Sequence, residues 1–196
     1  MRTEGFLTCL TIFETGCSTL TIYVAGRLNV DYILTLRTPL IRGEKALADT
    51  LTIDYGGSGG NTATAIARFL KKPKNIRFVG CVGDDEHGRD YINLLQREGI
   101  DTALIGIMQG VPTGRAIVLV EEDGITTVIS YRGANEVCRI TLDKLDDMKM
   151  LVVTNPPLSI AYELIERALE HSSSVIVDPS HGWSSLNPVS YTHLTL

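Results

Sequence analysis

Two hydrophobic periods alternate along this chain. Leu20-Thr21-Ile22-Tyr23-Val24-Ala25-Gly26 is an apolar, β-branched run that ends at glycine, the pattern of a strand buried in a sheet. Ile76–Val82, Met150–Thr154 and Val175–Val177 repeat it, and Asp178-Pro179 closes the last. Helix-like spacing fills the intervals. Asn61 to Leu70 carries Ala63, Ala65, Ile66, Ala67, Phe69 and Leu70, and its small first turns allow close packing on a sheet. Lys71-Lys72 suits the negative end of that helix dipole, and Pro73 stops the helix. Tyr91, Leu94 and Leu95 form the apolar face of a second helix, opened by Asp84-Asp85-Glu86 and closed by Gly99. Asp143 to Met148 predicts a short helical piece, and Leu158 to Glu170 a third full helix. Strand and helix alternating in this way predict an α/β fold with a mostly parallel sheet.

Further extended segments break the alternation. Residues 32–37 and 46–55 alternate in polarity, as do 113–121 and 125–131 on either side of Glu122-Asp123-Gly124, a strong hairpin signal. Each has one solvated face, so they predict a small second sheet beside the main body. Ile100 to Met108 is also extended.

The two ends do not join the pattern. Residues 1–19 are expected to be a leader outside the fold. Glu4 and three threonines interrupt the apolar character of residues 1–13, which argues against a cleaved signal peptide. Residues 188–196 have no period and resemble translated adaptor or vector sequence. The last predicted strand is followed by no covering helix, so residues 20–187 are expected to be a domain truncated at its C-terminus, with His181, Tyr191 and His193 outside any site.

Composition narrows the function classes. The net charge is −5, and no basic cluster exceeds Lys71-Lys72 with Lys74, which argues against a nucleic-acid binder. No apolar run reaches the length of a membrane span. The expected location is cytoplasmic. Cys9, Cys17, Cys81 and Cys138 form no CxxC pair; their spacing fits neither a zinc site nor a disulfide framework. They are expected to be free thiols, with Cys81 in the core.

The stretch Tyr55-Gly56-Gly57-Ser58-Gly59-Gly60-Asn61 lies between an alternating strand and a helix. It is not a phosphate P-loop, because no Gly-Lys-Ser/Thr follows, and Thr62 stands where a dinucleotide fingerprint needs glycine. Two readings remain: a tight turn for helix packing, or bare backbone N–H groups that face a polar ligand, with Asn61 holding one end of it. Asn29 and Asp31 alternate just beyond the first buried strand, at the sheet end where open α/β folds bind ligands. An amide and a carboxylate so placed can grip adjacent hydroxyls, or can cap a turn. Asp84, Asp85 and Glu86 fit a helix cap better than a metal site. His87 and His181 are isolated and are expected to be solvated or core residues. Arg115 is expected on a solvated strand face, and Asn135 as a hinge or ligand group.

Together these motifs resemble the ribokinase-like carbohydrate kinases, the PfkB family of sugar and nucleoside kinases. The resemblance covers roughly residues 20–180. It rests on Gly26-Arg27-Leu28-Asn29-Val30-Asp31, Gly56-Gly57-Ser58-Gly59-Gly60-Asn61 and Val79-Gly80-Cys81-Val82-Gly83-Asp84-Asp85-Glu86-His87-Gly88. It continues through Thr113-Gly114-Arg115-Ala116 and Arg132-Gly133-Ala134-Asn135. It implies a three-layer α/β/α sandwich with a small β-sheet lid over the sugar, the lid strands lying at about 32–55 and 113–131. It implies ATP and Mg2+ as cofactors of the full-length parent, a small-molecule sugar or nucleoside as acceptor, and a homodimer contact through the lid. Acceptor-binding residues carried over or expected beside them are Asn29, Asp31, Gly56, Gly57, Ser58, Asn61 and Asn135. Ser58 stands where ribokinase proper tends to have lysine, which leaves nucleosides and other sugars open. The family's Gly-Ala-Gly-Asp segment, with its catalytic Asp, and its Asn-x-x-Glu magnesium segment do not occur here. The expectation is therefore an acceptor-binding half with no catalytic residue or metal ligand of its own. The alternative is a non-catalytic sugar-binding or lid-dimerising module.

Overall fold

The computed structural model describes residues 20–71, 75–142, 145 and 147–178. Its elements, in chain order, are β1 (Ile22–Gly26), β2 (Asn29–Leu36), β3 (Ala48–Gly56), α1 (Ser58–Leu70), β4 (Ile76–Gly83), α2 (Glu86–Arg97) and β5 (Asp101–Met108). They continue with β6 (Gly114–Val120), β7 (Thr126–Tyr131), a 3-10 turn (Gly133–Asn135), β8 (Met150–Thr154), α3 (Leu158–Glu170) and β9 (Ser174–Asp178).

The apolar runs pair into one five-stranded sheet, ordered β5-β4-β1-β8-β9, with every pairing parallel. β1 is buried along its whole length. Its side chains divide between two cores, as the strand period requires. Tyr23 and Ala25 pack with Cys81, Leu151, Val153 and the α3 residues Ala161 and Leu164. Ile22 and Val24 pack with Ala63 and Ala67 of α1 and Tyr91 and Leu95 of α2. Helices therefore cover both faces, giving three layers. The four segments that broke the alternation form a second sheet ordered β3-β2-β6-β7. Ile100–Met108, in contrast, joins the main sheet as its edge strand β5.

Three local expectations change. The first helix begins at Ser58, not Asn61, so Gly59 and Gly60 lie in its first turn. Close approach explains this: a Cβ on Gly59 would come within 2.6 Å of the Gly26 Cα. The helix start packs directly on the end of β1, which offsets the conformational cost of two helical glycines. The second change concerns the cysteines. Cys81 and Cys138 are not free thiols but a disulfide, with Cα atoms 5.4 Å apart and a separation of 57 positions in sequence. Chain spacing held no sign of it, because the whole β6–β7 excursion separates the two before the fold reunites them. In the loop-entropy description such a cross-link is worth about 4 kcal/mol. Third, Arg115 is only partly solvated: its side chain is 39% exposed and its Nη2 lies 3.5 Å from Asp85 Oδ2.

Cys9, Cys17, His181 and residues 188–196 lie outside the described residues, and the predicted piece Asp143–Met148 lies partly outside them. Among the described residues, no helix is long and apolar enough to cross a membrane.

Candidate acceptor site at the sheet switch point

The order β5-β4-β1-β8-β9 places a crevice. From β1 the chain builds the sheet in one direction through β4 and β5, then returns to lay β8 on the other side of β1 and β9 beyond it. The direction reverses between β1 and β8, and open α/β sheets bind ligands beyond the C-terminal strand ends at such a point. Gly26 and Thr154 end the two strands in register. Three segments converge there: Arg27–Asp31 entering the second sheet, the start of α1, and Asn155 after β8.

The start of α1 is held down by its own hydrogen bonds. The N–H groups of Gly59 and Gly60 donate to the Arg27 carbonyl at 3.2 and 3.3 Å. The Ser58 hydroxyl donates to the Thr154 carbonyl at 3.0 Å. Two of the orphan donors of this helix end are thus used within the chain, and Ser58 fastens the helix to β8. Gly57 has φ +90°, and a Cβ there would meet the Arg27 carbonyl at 2.6 Å, so both its conformation and its surroundings require glycine. The Asp31 carboxylate occupies the space where a Gly56 side chain would stand. The buried Tyr91 hydroxyl donates to the Gly56 carbonyl.

Asn135 is 3% exposed, and its amide is fully engaged. Its Oδ1 accepts from Leu28 N at 3.1 Å. Its Nδ2 donates to Leu28 O at 2.9 Å, Asn29 Oδ1 at 3.1 Å and Arg132 O at 3.1 Å. The side chain therefore grips the Leu28-Asn29 backbone and turns the Asn29 amide so that its Oδ1 is occupied and its NH2 is left to donate elsewhere. Asp31 is two residues along β2, on the same face, paired in register with Asp54 of β3. Its Oδ1 is buried and has no hydrogen-bond partner. Burial, and then the charge of Asp54, push its carboxyl above the usual range. Asn61 is exposed on the first turn of α1 and lines a groove of about 390 Å³ with Asp54 and Tyr91.

Asn155 was missed by the sequence reading. It has φ +52°, and its Oδ1 is buried without a partner. The signal was the one that picked out Asn29: a polar residue directly after a buried strand.

The lid sheet is anchored through α2. Asp85 is the N-cap, accepting from Gly88 N at 2.8 Å, so the Asp84-Asp85-Glu86 run opens a helix as expected. The same carboxylate accepts from Thr113 N at 2.9 Å and the Thr113 hydroxyl at 2.6 Å, at the root of β6. Burial raises its pKa, but the Thr113 and Gly88 donors and Arg115 outweigh burial and hold it below the usual range. His87 is half-buried and not isolated: its Nε2 lies 2.8 Å from the Tyr32 hydroxyl of β2. Its ring meets Tyr32 and Tyr55 edge-on.

Comparison with known proteins agrees with this architecture. Ribokinase of Haemophilus influenzae is 32% identical over 115 residues, which are 59% of this chain and 37% of the relative. Ribokinase of Schizosaccharomyces pombe is 29% identical over 177 residues, 81% of this chain and 53% of the relative. The structure of Arabidopsis thaliana ribokinase complexed with ribose and ATP superposes with a TM-score of 0.73 at 25% identity, covering 82% of this chain and 54% of that one. The chain thus spans about half the length, or less, of these relatives. The family model for pfkB family carbohydrate kinases matches residues 20–190, and the chain belongs to that family.

Proposed function

We propose that this chain forms the acceptor-binding side of an ATP-dependent kinase that phosphorylates a hydroxyl of a sugar or nucleoside. The observation that carries the reading is a pair of acceptors: Asp31 Oδ1 and Asn155 Oδ1 are buried without a partner. Such atoms cost about 1–3 kcal/mol each unless something donates to them. Asn155 follows the end of β8 at the switch point, and Asp31 lies on β2 just beyond the end of β1. A polyhydroxylated ligand supplies donors, and the Asn29 NH2 supplies a donor for one of its oxygens. Asp31, Asn29 and Asn155 are the direct contacts in this reading, with Asn61 at the rim. Gly56, Gly57 and Ser58 shape the floor. Asn135 positions Asn29 and does not touch the ligand. The ribose in the plant enzyme favours a sugar as the smallest ligand of this class.

ATP supplies the transferred phosphoryl group, with Mg2+ as its usual partner. Among the described residues, no group of three or more His, Cys, Asp or Glu is placed to hold a metal ion. No step is assigned to magnesium through these residues, and phosphate handling is not placed on them. Calorimetry with ribose, other pentoses and hexoses, and a nucleoside panel tests the reading. One class is expected to bind the chain, to lose affinity at least tenfold in Asp31→Asn, and to yield no phosphorylated product with ATP. Failure of every sugar and nucleoside to bind would overturn it. A cytoplasmic location belongs with this proposal.

A second observation favours lid pairing. Ile53, Ile117 and Ile129 are in register with Tyr32 across the lid sheet. They share the face opposite Asp31 and are 49%, 41% and 55% exposed. A contiguous apolar strip of this kind marks an interaction surface, and a second copy of the lid is the proposed occupant.

A further inference from the structure

The disulfide joins β4 to the segment that follows the Asn135 turn. Cys81 lies within β4 and is fully buried, while Cys138 is 6% exposed and comes three residues after Asn135 in the chain. Residues 136–142 form no helix or strand. Among the described residues, no backbone hydrogen bond ties residues 137–142 to β4. The Cys81–Cys138 bond is therefore the covalent tether between the main sheet and the turn that presents Asn135. Asn135 in turn holds both backbone groups of Leu28 and the amide of Asn29.

We propose that thiol–disulfide exchange at Cys81–Cys138 is a redox switch that sets the order of the Asn29 end of the site. Oxidised, the bond holds the turn against β4, and Asn135 fixes Asn29. Reduced, two separate sulfur atoms need more room than a bonded pair. Cys81 sits in a packed sheet with no space to give, so residues 133–142 step back and the Asn135 contacts loosen.

The exchange balances with a dithiol reductant. Its thiolate attacks Cys138 Sγ, the less buried sulfur. The protein S–S bond breaks, and Cys81 leaves as a thiolate and takes a proton from water. The second thiol of the reductant closes on the first, releases Cys138 as a thiol and leaves a cyclic disulfide. Two electrons and two protons pass to the protein.

The test uses the whole chain, air-oxidised and then treated with dithiothreitol, followed by hydrogen–deuterium exchange. Alkylation and intact mass should show two more free thiols after reduction. Exchange in peptides covering 27–31 and 132–140 should then rise about tenfold or more, with β8 and α3 unchanged, and should return on reoxidation. Cys138→Ser should resemble the reduced protein. Cys81→Ala/Cys138→Val, which refills the space without a bond, provides a second unlinked form if the serine variant does not fold. No gain of thiols on reduction would overturn the proposal. So would exchange within twofold of the oxidised protein, or a rise spread evenly over the chain. The functional consequence rests on Asn29 contacting the acceptor. A sugar titration in both redox states separates the two ideas: binding in neither state refutes the acceptor reading, while the exchange difference stands or falls alone.

Discussion

Replacing Asn135 with alanine tests whether one buried amide supports the acceptor site. Alanine removes the acceptor for Leu28 N and the donor for Leu28 O, and both of those groups are buried. Each orphaned group costs about 1–3 kcal/mol. Water entering the space recovers part of that cost. A loss near 3 kcal/mol is expected, which for a domain of this size lowers the midpoint by about 6–12 °C. Urea unfolding followed by circular dichroism reads it as a lower midpoint at unchanged slope. Asn135→Asp sharpens the test. It keeps the acceptor facing Leu28 N but turns an oxygen toward Leu28 O, Asn29 Oδ1 and Arg132 O. Three facing oxygens raise the folded-state pKa of that carboxyl. Its contribution is then fully present below the unfolded carboxylate value and is lost as pH rises through the raised folded value. Asn135→Asp should therefore be no more stable than Asn135→Ala at pH 7 and should gain on it toward pH 4.

A double-mutant cycle with Asn29→Ala should also show coupling of about 0.5–3 kcal/mol, because the two amides share a hydrogen bond. A loss below 1 kcal/mol in Asn135→Ala would refute the reasoning. Identical pH profiles for the Ala and Asp variants would refute it equally, because they would mean that the amide's donors do not matter.

Two further outcomes are expected. Burial, followed by the Asp54 charge, raises the Asp31 pKa in the folded state. Its stabilising contribution is therefore present below the unfolded carboxylate value, about 3.9, and is lost as pH rises through the raised folded value. Asp31→Asn should accordingly be more stable than the parent at pH 7, with the advantage vanishing below about pH 4. Thermal melts across that range check it, and parallel curves for the two proteins would contradict it. Ile129→Lys places a charge in the exposed strip of the lid; sedimentation should show a dimer for the parent and a monomer for the variant. A monomeric parent at every concentration would remove the lid-pairing reading.

The division between what the pattern of residues conveyed and what it did not follows the range of each interaction. β1, β4 and β8 were legible because burial on both faces forces a continuous apolar run, which needs no knowledge of partners; β9 was legible from the same kind of run, although it alternates between exposed and half-buried positions. The lid strands were legible by their alternation, although β3 and β7 are exposed on nearly every residue. α3 was placed at its observed bounds, Leu158–Glu170, by its apolar spacing.

The start of α1 was displaced by three residues because helical glycines are normally unfavourable. Only the contact of Gly59 with Gly26, a pairing across 33 positions, makes them appropriate there. The disulfide, the Asp85–Thr113 anchor and the Tyr32–His87 contact belong to the same class. Each joins residues that are ordinary in their own neighbourhoods and become specific only when the lid folds back on the sandwich.

Asn135 and Asn155 show the distinction most directly. Both are asparagines beside turns, and local chemistry treats them alike. In the fold one is saturated, its amide spent on Leu28, Asn29 and Arg132, while the other keeps a buried carbonyl with no donor. An amide that is fully paired can only position its neighbours, and one that is not must be paired by something else. Within the proposed acceptor site, that asymmetry is the reason Asn135 is read as support and Asn155 as contact, and it comes from the inventory of hydrogen bonds rather than from the identity of the residue.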